Sequence, residues 1–191
     1  MLTKLRILIL CILVLFPMAM NTLAQEGVDP LESDVLSRPM NENGITEISV
    51  GIFVSQVTDF DEQSETFTIE ALLQLTWHDS RLEFDADDIG TDRREFVEIE
   101  VDRLLQLGDL WFPELYIPTE QGDAQTERRV LEIFADGTIV YLERFQATIQ
   151  DPTIDFHEFP FDEQVLQIPV ESLIHPADEV VLTIDEDFTG L

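Results

Sequence analysis

Cysteine is all but missing from this chain of 191 residues, which holds one, Cys11. A single thiol excludes a disulfide framework and a cysteine-based zinc cluster. Cations are scarce too: 10 Lys and Arg face 40 Asp and Glu, for a formal net charge of −30. Binding to phosphates needs a basic surface, so nucleic acid is excluded as a partner. The 8 glycines form no phosphate-cradling loop, and no G-x-S-x-G nucleophile turn occurs. His78, His157 and His175 are scattered, without an i,i+4 pair or an H-x-H step, so no metal site is expected. The acidic run Asp85–Asp88 lacks the EF-hand pattern of about 12 residues. Neither an enzyme nor a cofactor is expected. No apolar run reaches the roughly 20 residues that a membrane-spanning helix requires. What the chain does have is material for a core, with 45% hydrophobic residues and 13 Phe, too much for a solvated acidic tail. Its length suits one domain.

The first 24 residues are predicted to be an export signal, cleaved after Ala24, rather than part of the fold. Lys4 and Arg6 form a basic head, an apolar run follows from Ile7 to Phe16, Pro17 breaks it, and Thr22-Leu23-Ala24 supplies the small residues of a cleavage site. Cys11 leaves with this peptide, and the exported product keeps eight basic residues against all 40 acidic ones. Residues 25–44, rich in Asp, Glu, Asn and Pro, are predicted to be a flexible N-terminal arm with at most a short helix around Ser33–Leu36.

From Ile45 onward the period is two. Phe67, Ile69, Ala71, Leu73, Leu75 and Trp77 occupy odd positions, with polar residues at every even one except Leu72. That alternation predicts a long strand with one buried face. Val50, Ile52 and Val54 repeat it, as do Ile139, Tyr141, Phe145, Ala147 and Ile149, and Val180, Leu182 and Ile184. Turn signals separate the runs at Asp59–Ser64, Asp85–Gly90, Gln121-Gly122-Asp123, Asp136-Gly137 and Asp151-Pro152. Asp136-Gly137 predicts a hairpin. About seven strands with no amphipathic helix between them predict an all-β fold, an antiparallel immunoglobulin-like β-sandwich over residues 45–191.

Four segments together carry a resemblance. Trp77-His78-Asp79-Ser80-Arg81-Leu82 fits W-x-D-x-R-L, Trp111-Phe112-Pro113-Glu114 fits W-x-P-[DE], and Asp136-Gly137-Thr138 with Tyr141 fits D-G-x-[IV]-x-[YW]. Phe159-Pro160-Phe161-Asp162-Glu163-Gln164 fits the [FY]-P-F-D-x-Q core of a signature loop. In this order and spacing they resemble the extracellular domain of the pentameric ligand-gated ion channels, the Cys-loop receptor superfamily. Gly51-Ile52-Phe53, Glu65-Thr66-Phe67 and Tyr141-Leu142-Glu143-Arg144-Phe145 are similar to its bacterial, proton-gated branch, as is the lack of cysteines around Phe159–Asp162. Trp77 and Trp111 read as core residues, Pro113, Asp136 and Gly137 as structural ones, and Arg81 as a half-buried partner of Asp79 or another carboxylate.

The resemblance implies a homopentamer with agonist sites between subunits. It also implies two further strands and four membrane helices beyond the point where this sequence ends, so the sandwich is truncated before its last strands. The domain would sit on the periplasmic or extracellular side of the cell membrane. The positions of the amine-binding aromatic box fall near Leu72, Pro118 and Leu173, none of them aromatic, which argues against an amine agonist. Protons suit the sequence better, because crowded carboxylates hold their protons to higher pH. The resemblance makes Glu65 a proton sensor, with Asp61, Glu62 and Asp162 beside it facing the membrane domain. It also implies that Arg144, with Tyr116, binds small carboxylates, although the residues themselves favour a surface ion pair between Arg144 and one of the many carboxylates. Two other readings stay open: a secreted or periplasmic pentameric binding protein without a pore, and a β-sandwich adhesion or carbohydrate-binding module.

Overall fold

A computed structural model describes residues 36–154 and 165–191. Eight strands form its frame: β1 (Thr46–Asp61), β2 (Thr66–His78), β3 (Arg93–Val97), β4 (Leu115–Tyr116), β5 (Gln125–Phe134), β6 (Thr138–Gln150), β7 (Glu171–Ser172) and β8 (Val180–Ile184). Six make one sheet in the order β3-β5-β6-β2-β1-β8, and β4 pairs with β7 in a second, small one. The predicted β-sandwich is therefore present, with its second layer slight and its side open. A groove of about 670 Å³, lined by Val50, Ile52, Val54, Leu166, Ile168 and Leu182, runs along that side.

The odd positions of β2 and β6 carry the core, as their alternation predicts. Phe67, Ile69, Ala71, Leu75 and Trp77 are buried on β2, and Ile139, Tyr141, Phe145, Ala147 and Ile149 on β6. β1 begins with its even residues inward, at Ile48, Val50 and Val54. At Ser55 the register with β2 slips by one residue, and Val57 then points to the core from an odd position. An extra residue in one strand of a pair does this, because side chains alternate faces with period two.

Two expectations need correction. The sheet is not wholly antiparallel: β8 runs parallel to β1, pairing Thr46 with Val180 through Val50 with Ile184. An amphipathic helix also lies between strands. After the single turn α1 (Ala86–Ile89), helix α2 (Ile99–Leu107) buries Val101 completely and packs Leu104 and Leu105 on the core. Gly108 ends it in the left-handed region at φ 70, with its N–H on the Leu104 carbonyl, as a C-terminal glycine does. The predicted turn at Asp85–Gly90 is α1 itself, capped by Asp85 Oδ1 on the Asp87 N–H.

The W-x-D-x-R-L segment and the Asp-Gly hairpin meet at one end of the sheet. Gly137 turns the chain from β5 to β6 at φ 79, and its carbonyl accepts the Asp79 N–H at 2.9 Å. A Cβ at Gly137 would stand 2.6 Å from the Asp79 carbonyl oxygen. Gly137→Ala should therefore lower stability by at least about 1–2 kcal/mol, the cost of a left-handed residue alone, before any clash is counted. A urea midpoint within error of wild type would contradict this.

Trp77 meets Trp111 and Phe112 edge-on at ring centroid distances of 6.3 and 5.8 Å, and Phe112 meets Tyr141 at 4.8 Å. Trp77, Trp111 and Pro113 are all buried. Arg81 grips Asp79 with two hydrogen bonds of 2.7 Å, from Nε to Oδ1 and from Nη2 to Oδ2.

Candidate functional site: the acidic turn and the strand end beneath it

The opposite end of β2 carries the acidic turn. β1 and β2 close around residues 62–65, and Asp61 Oδ1 accepts the backbone N–H groups of Gln63 at 2.8 Å and Ser64 at 3.0 Å. Those bonds hold the Asp61 carboxyl below the usual carboxylate range, the Ser64 amide contributing most. Asp61 thus shapes the turn. Glu62 and Glu65 are placed differently: among the described residues, neither carboxylate has a hydrogen-bond or ion-pair partner. Glu65 also takes a left-handed backbone, φ 55, which is uncommon for a residue with a Cβ. The structure brings Asp61, Glu62 and Glu65 onto one turn. Asp162 and the rest of Phe159–Asp162 lie outside the described residues.

Next to this turn, the end of β6 runs into Asp151. Its backbone N–H donates to the Glu65 carbonyl at 2.9 Å. The carboxylate, 3% exposed, accepts Thr153 N–H at 2.9 Å and Thr153 Oγ1–H at 2.6 Å on Oδ1, and Gln167 N–H at 3.0 Å on Oδ2. Burial pushes this carboxyl up, but the bonds from Thr153 and Gln167 outweigh burial and leave it below its ordinary range. In the sequence, Asp151-Pro152 signals only a turn. An Asp closing an apolar strand ahead of Pro was the available signal.

Arg144 projects from the face of β6 opposite Tyr141 and Phe145. It pairs with Glu127 Oε2 at 2.8 Å from Nε and with Glu70 Oε2 at 3.5 Å from Nη2. Tyr116, on β4, donates its hydroxyl to Glu171 Oε2 at 3.1 Å, and that bond, with the charge behind it, raises the phenol pKa. No hydrogen bond joins Tyr116 to Arg144 among the described residues. Nor, among those residues, do three or more His, Cys, Asp or Glu side chains converge as a metal site would need.

Residues 28–189 match the family profile described as the neurotransmitter-gated ion-channel ligand binding domain. The chain belongs to this family. A proton-gated ion channel of Gloeobacter violaceus is 30% identical over 152 residues, covering 80% of this chain and 39% of that protein. The mouse gamma-aminobutyric acid receptor subunit theta is 28% identical over 158 residues, 81% of this chain and 23% of the receptor subunit. A gamma-aminobutyric acid receptor subunit beta of Lymnaea stagnalis is 23% identical over 156 residues, with 78% and 31% covered. The chain therefore spans well under half the length of these relatives.

Within this ligand-binding domain the described motif segments divide by location. Those built on Trp77, Trp111 and Asp136 gather at the end of the sheet where Asp79 meets Gly137, and they hold the core together. The acidic turn and Asp151 lie at the far end of β2 and β6, joined by backbone pairing of Thr66 with Gln150. Among the described residues no helix is long and apolar enough to cross a membrane.

Proposed function

We propose that this domain is the extracellular part of a homopentameric cation channel gated by protons or a small molecule, and that the turn between β1 and β2 is its proton-responsive element. The observation that carries this reading is the grouping of Asp61, Glu62 and Glu65 on one turn, in a family with a bacterial relative named a proton-gated ion channel. Two carboxylates about 4 Å apart repel by about 4 kcal/mol at an effective dielectric of 20, and less where water screens them. Protonation relieves such repulsion and shifts the balance between two packings of the surface that the turn meets.

Within the turn, Asp61 is committed to the backbone, whereas the Glu62 and Glu65 carboxylates have no partner among the described residues, and Glu65 is the one the family resemblance favours. Glu65 is therefore the sensor, with Glu62 and Asp162 as coupling partners. The sequence Phe159-Pro160-Phe161 brings two aromatic rings suited to an apolar surface such as the end of a membrane bundle. Arg144, with Tyr116, is a second site, for small carboxylates at a subunit interface. A chain with residues 1–24 as export signal and membrane helices encoded downstream would place this domain outside the cell membrane.

The test is electrical. The complete reading frame, expressed in oocytes, should give acid-evoked cation current. Glu65→Gln, which copies the protonated side chain, should move the pH of half-activation toward neutral by roughly half a unit to one unit. An unchanged pH response would remove Glu65 from the mechanism. Absence of acid-evoked current, with pentamers in solution, would favour the pore-free binding protein.

A further inference from the structure

We infer that Asp151 is a positioning residue: its carboxylate pins the two chain segments flanking residues 155–164 to each other, and its backbone pins both to the turn that carries Glu65. The consequence for gating rests on the reading above, while the geometry stands without it. Asp151 is nearly sealed from water, and no cation pairs with it among the described residues. A buried carboxylate in that position persists only if hydrogen bonds fill its lone pairs. Thr153 supplies two through its N–H and hydroxyl, and Gln167 supplies the third from the extended segment that leads into β7.

A turn alone would not need that arrangement. An Asx turn uses one side-chain oxygen and one backbone N–H two residues on, and Asn serves it as well as Asp. The bond to Gln167, sixteen residues away, calls for a second acceptor oxygen, which Asn lacks. The link to the acidic turn is equally direct. Asp151 N–H reaches the Glu65 carbonyl, and Gln150 Nε2 reaches the Ser64 carbonyl at 3.3 Å. A shift of the Glu65 backbone must therefore move Asp151, and with it the ends of both flanking segments.

Amide hydrogen exchange on the 191-residue chain, read by NMR in wild type and Asp151→Asn, tests the pin. The Gln167 amide should exchange about 10- to 100-fold faster in the variant, as for a lost hydrogen bond to a charged acceptor. The Thr153 amide, still accepted by the Asn oxygen, should change by less than about threefold, and Ile69 and Ala147 should keep their protection. Unaltered Gln167 exchange would overturn the inference. Equal loss of protection at Gln167, Ile69 and Ala147 would overturn it too, because Asp151 would then support the fold as a whole rather than this junction. If Asp151→Asn does not fold, Asp151→Ser, which can hold the local turn but cannot span to Gln167, should give the same selective loss. In the complete channel, Asp151→Asn should lower the maximal acid-evoked current. A wild type without such current would sink the channel reading, and the Gln167 amide would still decide the pin.

Discussion

Trp77→Ala should lose about 3–5 kcal/mol of unfolding free energy, the range for deleting a large buried aromatic ring. Trp77 is 2% exposed and meets the Trp111 and Phe112 rings edge-on, with Tyr141 behind Phe112, so its removal opens a cavity against two rings that are themselves held in the core. Domains of this kind hold about 5–15 kcal/mol in total, so the loss would take a large share of the whole. A second variant separates packing from polarity. The indole N–H of Trp77 is buried and has no hydrogen-bond partner among the described residues, so Trp77→Phe keeps most of the ring contact and removes an unsatisfied donor. It should cost clearly less than the alanine variant. Equal losses in urea titrations followed by circular dichroism would mean that the N–H has an acceptor after all.

Arg81→Met should cost about 3–5 kcal/mol as well, for a different reason. Asp79 is 1% exposed, and the guanidinium of Arg81 is its counter-charge through two 2.7 Å bonds. Methionine keeps much of the aliphatic stem but strands the carboxylate. The same change releases residues before β1, because Arg81 also donates to the Ser37 carbonyl at 2.8 Å and the Ser37 hydroxyl at 2.9 Å. Adding Asp79→Asn should recover a large part of the loss, since Asn can still accept the Arg81 backbone N–H and no longer carries a buried charge. A single variant within about 0.5 kcal/mol of wild type would show that the pair contributes no more than an exposed one.

How much of this was legible beforehand depends on whether a signal is local. The strict alternation on β2 and β6 fixes which faces are buried, because a strand leaves no other way to put Phe67, Ile69 and Trp77 on one side. Asp79 and Arg81 are two residues apart, so their pairing is also readable. Helix α2 was hidden by coincidence: Val97, Ile99 and Val101 alternate like a strand, while the helical spacing of Val101, Leu104 and Leu105 covers barely one turn. The direction of β8 could not be read, since Val180, Leu182 and Ile184 alternate identically in parallel and antiparallel sheets. At the candidate site the clustering of Asp61, Glu62 and Glu65 follows from adjacency. The division of labour among them does not, because it depends on where the Gln63 and Ser64 amides point. The reach of Asp151 to Gln167 is a tertiary contact with no sequence pattern of its own.

β2 and β6 pair over thirteen consecutive rungs, Thr66 with Gln150 through His78 with Thr138, without a slip in register. At about 3.4 Å per residue such a ladder is roughly 40 Å long, and it has no soft joint along its length. The slips belong to its neighbours, in β1 at Ser55 and near Asp59, and in β5 at Glu127. The middle of the molecule is thus a stiff beam with pliable rails. A displacement at one extremity would reach the other as a tilt of the whole beam, with any bending taken up beside it.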